Sequence, residues 1–224
     1  MRVEIFSDVA CPWCYIGLTR FGRVLDAFEH RDDVEVALRS FQLDPTLPER
    51  YDGTEADYLA ASKGLPENRV RGMFAMVEQA AASEDLTLDF DRLQVANTWR
   101  AHRLIHAAAD RDASAAWATK LALLQAHFVD GESISDPEVL RRIGIAAGLT
   151  EDQAAAAASG SALPTTEGDG LDAEIRADLE LAAAYGITGV PFFVFDAKYG
   201  VSGAQPAENF AQALAQAWAE RDPA

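Results

Sequence analysis

Short β-branched runs at both ends of the chain flank a long stretch whose apolar residues recur only at helical spacing. "RVEIF", Arg2 to Phe6, has the composition of a buried strand, and "SDVACP" breaks it. From Pro12 onward Leu18, Phe21, Leu25 and Phe28 recur with Arg20, Arg23 and Asp26 between them, which predicts a helix with one apolar stripe. After "HRDD", Val34, Val36 and Leu38 alternate with Glu35, Ala37 and Arg39, the period of a second strand. A helix joining two strands in this way predicts a right-handed parallel βαβ unit.

From about Glu55 to Ala184 the periods are helical, among them Met73/Met76/Val77/Ala80, Leu93/Ala101/Leu104/Ile105/Ala108 and Trp117/Leu121/Leu124/Phe128. Asp136-Pro137 reads as an N-cap with proline at the first helical position, Thr150 to Gln153 as a capping box, and Gly148 and Gly186 as helix stops. Strand character returns at Pro191 to Phe195 and around Val201, with "DAKYG" between them as a hairpin turn. Phe210, Leu214 and Trp218 then mark a last helix, with Pro206 near its start. The order predicts an α/β fold in which a large all-helical insertion, residues 51–184, interrupts a domain made of residues 1–50 and 185–224. The last helix of the insertion is expected to pack on the sheet of that domain.

Composition narrows the classes. With 49% hydrophobic and 25% charged residues over 224 positions, the chain is an ordinary globular protein with enough length for a sizeable core. A formal net charge of -17 repels phosphate backbones and anionic lipid, so neither nucleic acid nor a membrane surface is an expected partner. "MRVEIFSD" holds no apolar run of signal-peptide length, and no stretch reaches the ~18 apolar residues of a membrane span. The expected compartment is the cytoplasm, where a close cysteine pair is more often catalytic or metal-binding than a permanent staple.

The two cysteines of the chain stand two residues apart in "CPWC", Cys11 to Cys14. Pro12 suits the first helical position because its missing N–H would have no partner there, so Cys11 falls at a helix N-terminus. Thiolate is the attacking species in disulfide exchange, yet a free thiol is only about 3% ionised at pH 7. The partial positive charge of a helix N-terminus favours the anion. Cys11 is therefore the sulfur expected to attack, and Cys14, one turn further in and less exposed, the one expected to resolve the mixed disulfide. Trp13 adds an aromatic body between them. Asp8, three residues before Cys11, is either a solvated capping residue or a carboxylate able to take the proton of Cys14. A zinc reading needs two more ligands, and His102 with His106 are formally available, but their distance along the chain from Cys14 matches no compact zinc module; no metal is expected.

"YGITGVPFFVF" carries the second signal, Val190-Pro191 between glycines and a strand, a place that suits a residue unable to donate to a ladder. With CPWC in its strand-to-helix setting, this loop makes the whole chain resemble the thioredoxin superfamily, and within it the DsbA-like oxidoreductases of the FrnE-like branch. The resemblance implies a thioredoxin-like fold with a helical insertion and no required cofactor. It implies Cys11 as nucleophile, Cys14 as resolving thiol, and Pro191 as a cis-proline, with Val190 offering backbone hydrogen bonds to substrate beside Trp13. "NTWRAHRL" also resembles a segment of this branch, placing Asn97 on an insertion helix facing the site, against the plainer reading of a polar residue engaged in packing or solvent. Periplasmic DsbA proteins carry a secretion signal and a histidine where Trp13 stands, so strong oxidising power does not carry over. The related 2-hydroxychromene-2-carboxylate isomerases and kappa-class glutathione transferases typically place serine near the position of Cys11. Expected partners are a protein or small-molecule disulfide or thiol, with glutathione a candidate redox partner or co-substrate, and the protein a monomer or homodimer.

Overall fold

In the computed structural model, which describes residues 1–221, β1 (Arg2–Ser7) is a central strand of a four-stranded mixed sheet. It pairs in parallel with β2 (Glu35–Ser40), Arg2 opposite Glu35 through Ser7 opposite Ser40, and antiparallel with β3 (Phe192–Phe195), which pairs with β4 (Tyr199–Ser202) in the order β2-β1-β3-β4. The parallel pair is joined by α1 (Pro12–Asp26), as the βαβ pattern requires. The alternation of strand residues sorts the two faces. Val3, Ile5, Phe193 and Phe195 join Phe21 of α1 and Phe210 of α9 (Ala207–Ala219) in one core, while Phe6 and Val194 face Ala182 and Ile187 on the other side. Phe21 is fully buried and meets Phe193, Phe195, Phe210 and Trp117 at centroid distances of 5.3 to 6.4 Å, so truncating it to alanine would cost about 3–5 kcal/mol.

Between β2 and β3 run α2 (Glu55–Lys63), α3 (Glu67–Ala82), α4 (Trp99–Ala109), α5 (Ala113–Gln125) with a π turn at Ala126–Asp130, α6 (Pro137–Ala146), α7 (Glu151–Ser159) and α8 (Gly170–Ala184). This is the α/β fold with a helical insertion that the patterning predicts. Asp136 caps α6 through the Glu138 N–H, and Thr150 with Gln153 forms the capping box of α7. Gly148 and Gly186 adopt positive φ just beyond α6 and α8. In the "DAKYG" turn Asp196 and Ala197 both take positive φ, and Lys198 N–H closes it on the Phe195 carbonyl. α8 lies against β2, held there by Arg39, which bridges Glu4 and Asp178 on neighbouring elements, and by the Ser40 N–H donating to Asp178 at 2.8 Å.

Two periodic readings end differently. Leu93 is not on a helix with Ala101. Residues 83–98 are irregular because Asp89 accepts from the N–H groups of Asp91 and Arg92 and Asp85 sits at positive φ, local bonds that compete with helix, although Phe90, Leu93 and Val95 still bury their side chains. Phe28 lies beyond the end of α1 and packs edge-on against Trp218 instead. No helix among the described residues is long and apolar enough to cross a membrane.

Candidate active site

β1 ends at Ser7, a turn through Asp8, Val9 and Ala10 reverses the chain, and Cys11 caps α1 in extended conformation with Pro12 behind it. No acidic residue stands in the first turn of α1, so the positive end of the helix dipole is left to the sulfurs. Cys11 is 3% exposed and Cys14 fully buried, both as free thiols. The Cys11 thiol donates to the Val190 carbonyl at 3.4 Å, across 179 residues of sequence. The Val190-Pro191 bond is cis, as the resemblance implies.

That close approach depends on a residue the sequence did not single out. A Cβ on Gly17, one turn beyond Cys14, would meet the Pro191 ring at 2.9 Å and Ala204 at 3.4 Å. A glycine inside a helix costs roughly 1 kcal/mol against alanine, and here its absent side chain makes room for the proline loop.

Behind Cys14 the surroundings are charged and sealed. Asp8 is buried, and its carboxylate accepts from the Leu43 N–H at 2.8 Å and from His102 Nε2 at 3.2 Å. His102 Nε2 also lies 3.0 Å from the Phe41 carbonyl; since both partners are acceptors, this nitrogen carries the proton. Burial would raise Asp8, but the His102 bond, the Leu43 N–H and nearby positive charge hold it below the usual carboxylate range, ionised at neutral pH. Burial lowers His102 against the pull of Asp8, so that ring is neutral. Lys120 reaches in from α5, 1% exposed, and donates to the Ser7 carbonyl at 3.2 Å. Burial pushes Lys120 down, while both thiols and Asp8 support its charge. Burial drives the Cys14 thiol well above its ordinary value, the neighbouring Cys11 sulfur adds to the rise, and the Lys120 charge and the Asp8 N–H oppose it. Sequence reading named Asp8 and missed Lys120, whose only signal was a lone cation among the apolar residues of "AAWATKLALL".

In front of Cys11 a cavity of about 340 Å³ opens between the sulfurs and the α2–α3 pair. Trp13 and Val190 line it beside Cys11, and Leu59, Phe74, Val77 and Phe90 form apolar walls. His127, in the π turn, also lines it; its Nδ1 has no hydrogen-bond partner and burial lowers its pKa to about 4. Such turns recur at functional positions, a signal that side-chain patterning does not carry. Asn97 is a correction. It stands just ahead of α4 rather than on it, fully buried, and its amide is consumed: Oδ1 accepts from the Trp99 N–H and Gln42 Nε2, both at 2.9 Å, and Nδ2 donates to the Leu47 carbonyl at 2.8 Å. Ala96 and Thr98 on either side line the cavity; Asn97 organises the start of α4 instead. His102 and His106 likewise turn to different partners, Asp8 and the Ser40 hydroxyl.

A family model described as a DSBA-like thioredoxin domain matches residues 2–215. The chain belongs to the DsbA-like thioredoxin family. It is an enzyme of the disulfide oxidoreductase type. A solved structure of a probable DsbA oxidoreductase from Streptomyces coelicolor is 41% identical, with a TM-score of 0.88 over 100% of this chain and 92% of that one. More distant solved structures share the fold alone. The cytosolic disulfide reductase DsbM from Pseudomonas aeruginosa is 16% identical with a TM-score of 0.65, covering 99% of this chain and 100% of that one. A 2-hydroxychromene-2-carboxylate isomerase is 13% identical with a TM-score of 0.68, covering 96% and 95%. A search of curated proteins by sequence finds no significant match.

Proposed function

We propose that this DsbA-like protein exchanges thiols and disulfides through Cys11 and Cys14 acting as an unequal pair. The observation that carries the reading is the position of the two sulfurs: Cys11 meets both the cavity and the Val190 carbonyl, while Cys14 is sealed beside Lys120. In the reducing direction the Cys11 thiolate attacks one sulfur of a bound disulfide, that S–S bond breaks, and the first substrate thiol leaves with a proton. Cys14 then loses its proton and attacks Cys11, expelling the second substrate thiol and leaving a Cys11–Cys14 disulfide. The Lys120 charge lowers the cost of ionising Cys14, and the Asp8 backbone adds a smaller effect of the same sign. Asp8 itself, held ionised and already hydrogen-bonded, serves as a fixed negative partner for Lys120 more readily than as the base expected from sequence. Oxidation of a dithiol runs the same steps backwards, and the potential of the pair sets the direction.

The acidic surface, the absence of a long apolar helix among the described residues and the paired thiols support work in the cytoplasm. The reading is tested by Cys11→Ser in single-turnover release of a chromophoric thiol from an aromatic disulfide. Release is expected to fall to the rate of solvent thiolysis; release that persists at the wild-type rate would remove Cys11 from the mechanism. Two observations support a second reading, a glutathione-dependent isomerase or transferase. The cavity beside the sulfurs has the size of a small-molecule site, and the P. aeruginosa DsbM has also been solved with GSH. Saturable glutathione binding, with activity surviving Cys14→Ser, would favour it.

A further inference from the structure

The walls of the cavity are apolar, but its few ionisable residues are mostly of one sign. Asp8, Asp44 and Glu55 line it, and the one lysine or arginine among the lining residues is Lys63, which is exposed. Asp8 is already engaged behind the sulfurs. Asp44 accepts from the Tyr58 hydroxyl at 2.7 Å and from the Thr46 N–H at 2.9 Å, and these bonds with the charge of Lys63 keep it ionised against its own burial. Glu55, the first residue of α2, is half-buried on the cavity wall and has no hydrogen-bond or ion-pair partner among the described residues. His127 offers no compensating charge, since burial keeps it neutral. Above pH 7, where Glu55 is ionised, a substrate carboxylate entering this space would meet one carboxylate without a partner, Asp44 with only Lys63 to offset it, and the field of a chain carrying a net charge of -17.

We propose that the cleft selects uncharged apolar disulfides and thiols over anionic ones, glutathione disulfide included, and that Glu55 is the residue that enforces the selection. This rests on the assignment of Cys11 as the reacting thiol. The geometry favours it independently of the redox chemistry: the space beside Cys11 suits an aromatic or branched apolar group flanked by Trp13, Phe74 and Phe90, while its charged lining rejects the carboxylates that distinguish glutathione from such a compound. Glu55 matters most because it has no partner to absorb its charge, and once it is ionised above pH 7 a like charge in a partly dry site is worth about tenfold in rate.

The test compares two aromatic disulfides of similar size, neutral 4,4′-dithiodipyridine and dianionic 5,5′-dithiobis(2-nitrobenzoate), with glutathione disulfide as a third probe. Each reacts with the reduced protein at pH 8 in stopped flow, and each rate is divided by that of the denatured protein to remove intrinsic reactivity. The neutral-to-dianion ratio of these normalised rates is expected to exceed about ten, with glutathione disulfide on the slow side. It should fall several-fold in Glu55→Gln, fall further in Glu55→Lys, and be retained in Glu55→Asp. Equal normalised rates for the two aromatic disulfides, or a ratio indifferent to the charge at position 55, would overturn the proposal. Loss of the exchange reading looks different: Cys11→Ser would then leave release from the neutral disulfide untouched.

Discussion

Cys11 and Cys14 are one helical turn apart yet face unlike surroundings, and the contrast explains how one dipeptide spacing yields two different thiols. In front of Cys11 lies an apolar cleft roofed by α2 and α3; behind Cys14 lie Asp8, His102 and Lys120, each buried, with hydrogen bonds to main chain or to one another. The front admits a substrate. The rear is closed except where Asp8 borders the cleft, and its fixed charges act on whichever sulfur is next to ionise. The pair is therefore asymmetric by environment and not by residue type, which is why each half of the contrast can be removed by its own substitution.

The largest effect is expected from erasing the asymmetry at its source. Cys14→Ser keeps Cys11, the cleft and the proline loop but removes the resolving sulfur. Multiple-turnover exchange should fall about a thousandfold or more while single-turnover attack continues, and mass spectrometry should find the substrate half trapped on Cys11. Unimpaired turnover would mean that an outside thiol resolves the intermediate and that the rear surroundings are structural only. Next comes Lys120→Met. It removes a charge that helps hold the buried Asp8 carboxylate ionised and takes the Lys120 donor from the Ser7 carbonyl, so a loss of about 1–3 kcal/mol in urea unfolding is expected, part of it recovered in the double variant with Asp8→Asn. Since the lysine charge opposes the rise of the Cys14 thiol, its removal should move the resolution step to higher pH in both variants. A purely structural lysine would change stability and leave that profile in place.

A smaller effect separates helix from loop. Gly17→Ala adds one methyl where the Pro191 ring already lies at 2.9 Å from the position of the new atom. Alanine favours helix by roughly 1 kcal/mol, while overpacking against the loop costs about 1–3 kcal/mol, so the variant should be slightly destabilised and slower in attack by Cys11, whose Val190 contact the loop holds. A stabilised variant of full activity would show that the loop yields freely.

The front and rear also differ in how far they could be read from the chain. The place of Cys11 and the loop facing it were legible because they are local or carried by a motif: a strand, a turn and Pro12 fix Cys11 at a helix start, and the glycine-flanked Val190-Pro191 marks the loop. Asp8 was legible as a position and not as a role, since nothing in "FSDVAC" reveals that His102, 94 residues away, would meet it. Lys120 and His127 come from α5 and its π turn, whose apolar periods predict burial without saying which polar residue is buried with them. Asn97 failed for a related reason: a motif can place a residue near a site, but only the folded chain decides whether its amide turns outward or, as here, is spent on Trp99, Gln42 and Leu47.

Glu55 provides the finest test of the front. Burial raises its carboxyl from the ordinary 4.5 to about 7, so between those values the folded chain holds a proton that the unfolded chain has released. Stability attributable to this residue therefore falls as pH rises through that window, and the full penalty is present above pH 7, whereas below 4.5 both states are protonated and it vanishes. A shift of this size corresponds to about 3 kcal/mol, and the partial exposure of the side chain brings the expected effect nearer ~1 kcal/mol. Glu55→Gln is uncharged throughout. It should match the wild type in urea unfolding at pH 4 and exceed it by ~1 kcal/mol at pH 8. An equal gain at both pH values would trace to local helix energetics in α2. No gain at either would mean that the carboxylate is well solvated where it stands, and the charge selection by the front would then rest on Asp44 alone.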